Sequence, residues 1–252
     1  MAQGARVTCN LLHDNEATQD LFVEVNHGPF LIDHNFFLSG NGLNDISHGG
    51  AYAHNLFAGR IIAWPNTRNT PYHKAHSTEI AGMDTFPGGD SRFYNNIFVS
   101  QEKPVPWPER IPKQLDNQNY FGLATYYNLG LPVYMSGNVF LGQAEPCSHE
   151  ENPLVQPEFN PGIKLEERSD GWYLKMQFDK IWADHKGPLV KSEMLGKAKI
   201  PDLPYEDPDG KPYQLDNDYF GNVRKTINPF PGPLNEQKEG EQFIKVWPKN
   251  MY

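Results

Sequence analysis

One asparagine setting returns through the first 140 residues: an apolar residue, two variable positions, Asn, then two apolar residues. It occurs at residues 7–12 (VTCNLL), 32–37 (IDHNFF), 52–57 (YAHNLF), 93–98 (FYNNIF) and 135–140 (MSGNVF). The asparagines, Asn10, Asn35, Asn55, Asn96 and Asn138, are spaced by 25, 20, 41 and 42 residues. These spacings are one, one, two and two periods of about 20–25 residues, the mark of a solenoid whose repeats bury their apolar faces only against one another.

Two solenoids compete at this period. A leucine-rich repeat needs Leu at fixed LxxLxL positions, which these segments lack. They are short, aromatic and β-branched, with turn residues between, which favours a parallel β-helix. An Asn at a fixed corner suits that fold, since it tolerates left-handed backbone and its amide can bond the Asn one coil away. Residues 60–92 and 100–131 are expected to hold one coil each with an inserted loop. "AWPNTRNTPYHKAHS" and "SQEKPVPWPERIPKQ" are polar and Pro-rich, as loops over a groove are.

Composition supports an all-β reading, with Gly 22 and Pro 22 punctuating many short elements. The formal charge of −9, without a Lys/Arg run, argues against a nucleic-acid partner and suits a neutral ligand such as a small oligosaccharide. No apolar stretch is long enough to span a membrane. No signal peptide is visible, so the cytoplasm is the expected compartment. Cys9 and Cys147 match no metal spacing and read as packed thiols. No cofactor is expected, and self-association into a homo-oligomer is left open.

The segments "VEVNHGP" (23–29) and "NDISHGG" (44–50) share an acid, an apolar residue, a small polar residue, His and Gly in the same order. Stacked coils lie about 4.8 Å apart. Pairing the two His-Gly steps sets Glu24 over Asp45, Asn26 over Ser47 and His27 over His48. Alternation sends Val23 and Val25 to the core and Glu24 and Asn26 to the outer wall. Two carboxylates so stacked match the roughly 5–5.5 Å of retaining glycosidases, and their mutual repulsion raises one pKa. A solvated acidic ladder or a cation site is the competing reading. An offset of 25 places Met1 below Asn26, so the chain is expected to begin inside a strand and to be the C-terminal part of a longer protein.

"DLFVEVNHGPFLIDHNFFLS" followed by "HGGAYAHNLFAG" resembles the β-helix of glycoside hydrolase family 120, the β-xylosidases. "MLGKAKIPDLPYEDPDGKP", "DNDYFGNVR" and "NPFPGPL" are similar to the tail of the same proteins. The resemblance implies a right-handed parallel β-helix joined to a β-sandwich. It also implies release of xylose from short xylo-oligosaccharides with retention, and an acid/base at Glu24. The family's nucleophile is an Asp on the preceding coil, in a stretch that would run into "MAQG". This chain lacks that stretch and is expected to be inactive alone.

Around Glu24, the residues expected to bind substrate are Asn26, His27, Asp45 and His48. Asp33, His34 and His54 read as structural. His73 and His76 form HxxH without further ligands for a metal. Trp64 and Trp107 either stack on sugar or pin their loops. Residues 1–147 are expected to be β-helix coils, and residues 148–252 a small antiparallel sandwich or sheet. Within the latter, "IKLEERSDGWYLKMQFD" reads as a hairpin turning at Ser169-Asp170-Gly171, and 189–193 and 243–247 read as further strands. Two alternatives stay open: a β-helix polysaccharide lyase, which needs a cation beside the acid, and a non-catalytic carbohydrate-binding solenoid.

Overall fold

The computed structural model describes residues 3–15, 18–100 and 120–249. The chain is nearly all β. Three sets of parallel strands carry its first part. The first set is β1 (Ala5–Thr8), β4 (Phe30–Asp33), β7 (Gly50–Ala53), β12 (Arg92–Tyr94), β14 (Tyr134–Ser136) and β16 (Glu150–Glu151), bonded in that order. The second is β2 (Leu11–Leu12), β5 (Phe36–Phe37), β8 (Leu56–Phe57), β13 (Ile97–Val99), β15 (Val139–Leu141) and β17 (Leu154–Gln156). The third is β3 (Leu21–Glu24), β6 (Asn41–Ile46) and β9 (Arg60–Ala63). The chain visits the three sheets in turn, so each circuit lies parallel on the one before.

The asparagines are the corner posts of this winding. The backbone N–H and Nδ2 of Asn10 both donate to Asn35 Oδ1 at 2.9 Å. Asn35 repeats this on Asn55, Asn55 on Asn96, and Asn96 on Asn138, at 2.8–3.0 Å. Glu150 ends the ladder, its Oε1 and Oε2 accepting from Asn138 N and Nδ2 at 3.1 and 2.8 Å. The left-handed residue is not the Asn itself but the one before it: Cys9, His34, His54 and Asn95 have φ of 54–56° and Gly137 has 72°. That turn buries backbone donors which only a side chain of the next coil can reach, and unpaired donors are costly.

One period apart, side chains stack. Phe37, Phe57, Phe98 and Phe140 form an interior column with ring centroids 4.6–5.4 Å apart. Tyr52 stacks on Phe93 at 4.4 Å. The alternate residues Phe36, Leu56, Ile97 and Val139 face outward, yet are buried against Leu174, Met176, Phe178 and Trp182. Apolar residues on both faces, as in buried parallel sheets, explain the pairs that follow each Asn.

The C-terminal part supplies that cover. β18 (Lys164–Arg168) and β19 (Gly171–Phe178) form the expected hairpin, and β22 (Gly240–Trp247) adds an antiparallel third strand. The short strands β20 (Lys197–Ala198) and β21 (Leu203–Pro204) pair beside it in sequence, and Ala198 packs with Leu31, Ala51 and Tyr94 on the first sheet's outer face.

Three local expectations are corrected. The polar stretch after β9 is not a loop but an antiparallel hairpin of β10 (Asn66–His73) and β11 (Ile80–Phe86). Residues 189–193 are not a strand: Ser192–Leu195 is the helical turn α1, and Lys191 makes one bridge to Gln214. Parallel pairing runs past Cys147 to Gln156. Among the described residues, no helix is long and apolar enough to cross a membrane. Trp107 and the pairing of Met1 with Asn26 lie outside the described residues.

Candidate functional site

Glu24 closes β3, the edge strand of the third sheet. Leu21 and Val23 pack into the interior, while Phe22 packs outside with Ile46, Phe86 and Trp64. Glu24 follows Phe22 to the outside, and its side chain is 43% exposed. Arg68, from β10, donates from Nη1 to Glu24 Oε1 at 2.8 Å. Alongside lies a cleft of about 300 Å³, lined by Ala5, Val7, Phe22, Val23, Phe30 and Asn26 among others, in which Glu24 is the one ionisable lining residue. Asn26 is fixed there by its backbone N–H on Ser47 Oγ at 3.0 Å and by its Oδ1, which accepts from Gly28 N at 3.1 Å.

Asp45 is not stacked on Glu24. The sheet register pairs Val23 with Asp45 and Glu24 with Ile46, an offset of 22. Two residues later the offset is 21, because Asn26 meets Ser47. The extra residue is Val25, which takes φ of 46°. It acts as a bulge, and a one-residue slip moves a side chain to the other face. Asp45 therefore points inward. Its Oδ2 accepts from Tyr52 Oη at 2.9 Å and Tyr126 Oη at 2.8 Å, and its Oδ1 from Ser47 N at 2.9 Å. Burial pushes its carboxyl above the ordinary value, and the Tyr126, Tyr52 and Ser47 donors pull it back. The expected acid pair on the outer wall is thus overturned.

His27 does stack over His48, with Nδ1 and Nε2 2.7 Å apart, but both rings are sealed beneath the β10–β11 hairpin, 1% and 0% exposed. His27 Nε2 lies 3.0 Å from both the Thr70 carbonyl oxygen, which accepts a hydrogen bond from it when Nε2 is protonated, and Thr70 Oγ1. In that tautomer His27 Nδ1 accepts from His48 Nε2–H, and His48 Nδ1 has no hydrogen-bond partner among the described residues. Phe86 stacks on His27 at 4.3 Å. Burial lowers the His27 pKa, and burial with the His27 neighbour lowers that of His48 to about 4.

So Glu24 and Asn26 share one cleft, and the hairpin sets Arg68 on the Glu24 carboxylate at its rim. His27, His48 and Asp45 offer a ligand no surface. Asp33 holds Arg6 through two bonds at 2.8 and 2.7 Å and His34 through Nδ1 at 2.7 Å. His76 pairs with Glu206 at 2.8 Å. Trp64 pins its segment to Tyr120 and Ile62. Arg68, Thr70 and Tyr126 had no signal in a single sequence, for each reaches its partner across 43 residues or more. Glu24 and Asn26 alone are too few oxygen ligands for a cation such as Ca²⁺. What the arrangement provides is an exposed carboxylate, beside a guanidinium, at the rim of an apolar cleft.

An all-β chain of stacked parallel circuits with an exposed acid, Glu24, beside a cleft on an edge strand is the class that fold and site define. No protein-family model and no curated protein matches the chain. A solved structure does: XylC in complex with xylose, at 36% identity and a TM-score of 0.83, over 98% of this chain and 40% of the XylC chain. The chain thus spans about two fifths of the length of that relative.

Proposed function

We propose that this chain carries the acid/base residue, Glu24, of a retaining glycoside hydrolase of the β-xylosidase kind acting on short xylo-oligosaccharides. The winding is read as a right-handed parallel β-helix whose coils continue to Gln156, with the antiparallel strands from Lys164 onward lying on its outer walls. The observation that carries this reading is the likeness to XylC, solved with xylose, across nearly the whole chain. Glu24 supports it by being the exposed acid of the cleft.

In such a reaction Glu24 protonates the leaving oxygen while a second carboxylate, roughly 5–5.5 Å away, attacks the anomeric carbon. Glu24 then takes a proton from water as the glycosyl bond is hydrolysed. Asp45 cannot be that second acid, since it faces the interior. The edge of β3 that pairs with no strand among the described residues is the side from which another carboxylate can approach. The test is calorimetric titration with xylobiose. Saturable binding that Glu24→Ala weakens about tenfold or more, the loss of a charged hydrogen bond, supports the reading. Absence of binding at millimolar sugar overturns it. Turnover of an aryl xyloside by the chain alone would contradict the placing of the nucleophile outside it.

One observation favours a second reading. Arg68 beside Glu24 is the cation that a polysaccharide lyase needs. Ultraviolet absorbance from an unsaturated product, on incubation with a uronate polymer, would select it.

A further inference from the structure

We propose that the cavity which Arg6 and His34 line together with Gln214 and residues 217–222 is a binding site for a sugar acid, its carboxylate held by Arg6 and Lys249 and one of its hydroxyls by His34.

The cavity measures about 720 Å³, room for a mono- or disaccharide. Arg6, Thr8, His34, Asn217, Phe220 and Lys249 are among its lining residues. It is separate from the cleft beside Glu24. Ala5 and Val7 line that cleft, whereas Arg6 and Thr8, the alternate residues of β1, line this cavity on the other face of the strand.

His34 sits one coil further in, on the corner turn before Asn35, and is 3% exposed. Its Nδ1 lies 2.7 Å from Asp33 Oδ2, which also accepts from Arg6 Nη2 at 2.7 Å and Thr8 Oγ1 at 2.9 Å. Burial pushes the Asp33 carboxyl up, but the Arg6 and His34 hydrogen bonds outweigh it and hold it below its ordinary value. An ionised carboxylate only accepts, so His34 Nδ1 carries the ring proton. Burial, with the Arg224 and Arg6 charges, lowers the His34 pKa against the pull of Asp33, so the ring is neutral and Nε2 is an acceptor. That nitrogen is buried and has no hydrogen-bond partner among the described residues. A buried acceptor left unmet is costly, and a ligand O–H meets it.

The rim supplies the opposite chemistry. The Arg6 side chain is 36% exposed even while its Nε and Nη2 hold Asp33. Lys249 spends one of its three N–H groups on the Cys9 carbonyl, at 2.9 Å. Asp218 is the one acid of the lining, and it is turned into its own loop. Its oxygens accept from Phe220 N, Asn222 N and Asn222 Nδ2 at 2.8–3.2 Å. On a chain of net charge −9, two cations converging on one cavity select an anionic group. Sulfate would satisfy them but has no hydrogen for His34. A neutral sugar has hydroxyls but no anion. A sugar acid has both, and Phe220 offers its ring an apolar face. This binding uses neither Glu24 nor its cleft.

The test is calorimetric titration of the chain with glucuronate, glucose and sulfate. Saturable 1:1 binding of glucuronate is expected, with glucose and sulfate each weaker by about tenfold or more, the loss of a charged hydrogen bond. Lys249→Gln should weaken glucuronate by a similar factor, and Glu24→Ala should leave its affinity unaltered. Because His34 is buried, its role is read in the native chain: the nitrogen resonance of Nε2 should leave the position of a bare imidazole nitrogen as glucuronate saturates. A disaccharide ending in glucuronate separates the two sources of the same group. Binding as tight as that of the free acid assigns the site to a chain end, and binding about tenfold weaker assigns it to the monosaccharide; both support a sugar-acid site. Glucose or sulfate binding as tightly as glucuronate, an Nε2 resonance that does not move, or loss of binding in Glu24→Ala overturns the proposal.

Discussion

Glu24 and Asp45 lie on adjacent parallel strands, one rung out of step, and point to opposite faces of their sheet. One carboxylate is available to a ligand at the rim of a cleft. The other holds two tyrosine hydroxyls inside the winding. Their one-rung offset gives each a different energetic role, and that difference is measurable.

Replacing Asp45 is expected to act on stability, not on sugar binding. Asp45→Asn replaces one of two acceptor oxygens by an NH2, so either the Tyr52 and Tyr126 hydroxyls or the Ser47 N–H lose their acceptor, at a cost of about 1–3 kcal/mol. Urea unfolding should show that loss, while xylobiose affinity in the folded fraction stays within twofold.

Val25 is expected to reverse an ordinary preference. In an extended strand Ala is more stable than Gly, but Val25 sits at φ of 46°, where a side chain is strained by about 1–2 kcal/mol. Both substitutions lose its packing on Ile46 and Phe86. Val25→Gly should nevertheless be more stable than Val25→Ala by about 0.5–1 kcal/mol in denaturant titrations.

The buried histidines are expected to make the protein acid-labile. The His48 value is lowered from 6.5 to about 4, so within that window the unfolded chain binds a proton that the folded state refuses. Stability therefore falls as pH falls from 6.5 towards 4, by up to about 3 kcal/mol. His48→Gln, which keeps a donor for His27, should flatten this limb by about one proton in the slope of stability against pH.

Glu150 is expected to work in the opposite sense. Burial raises its value from 4.5 to about 7, against the pull of the Asn138 donors. Between those values the folded state holds the extra proton, so stability falls as pH rises, again by up to about 3 kcal/mol. Glu150→Gln should remove most of the loss between pH 5 and pH 8. In the native chain the two effects oppose each other between 4.5 and 6.5, so the measured dependence there should be shallow.

How much of this was legible depends on whether the information was periodic. The ladder asparagines, the apolar pairs after them and the hairpin turning at Asp170 were readable because each is a local pattern with a repeat or a turn residue. The register at Glu24 was not. The matching His-Gly steps do align, as His27 on His48 shows, but Val25 absorbs one residue just upstream and turns Asp45 inward. The β10–β11 hairpin read as a loop because Pro71 and polar side chains hide its alternation, and its strands are held by tertiary burial of Phe86 rather than by propensity. Arg68 and Thr70 could not be tied to Glu24 and His27 without that hairpin.

The most direct measurement is a chemical-shift map of the chain titrated with xylose. Saturating shifts that cluster at Glu24, Asn26 and Arg68, and that vanish in Glu24→Ala, are predicted. Shifts that saturate instead around a separate cleft of about 240 Å³ lined by Val223, Asn228 and Glu236, or that survive Glu24→Ala unchanged, would contradict the assignment of the sugar site to the β3 edge.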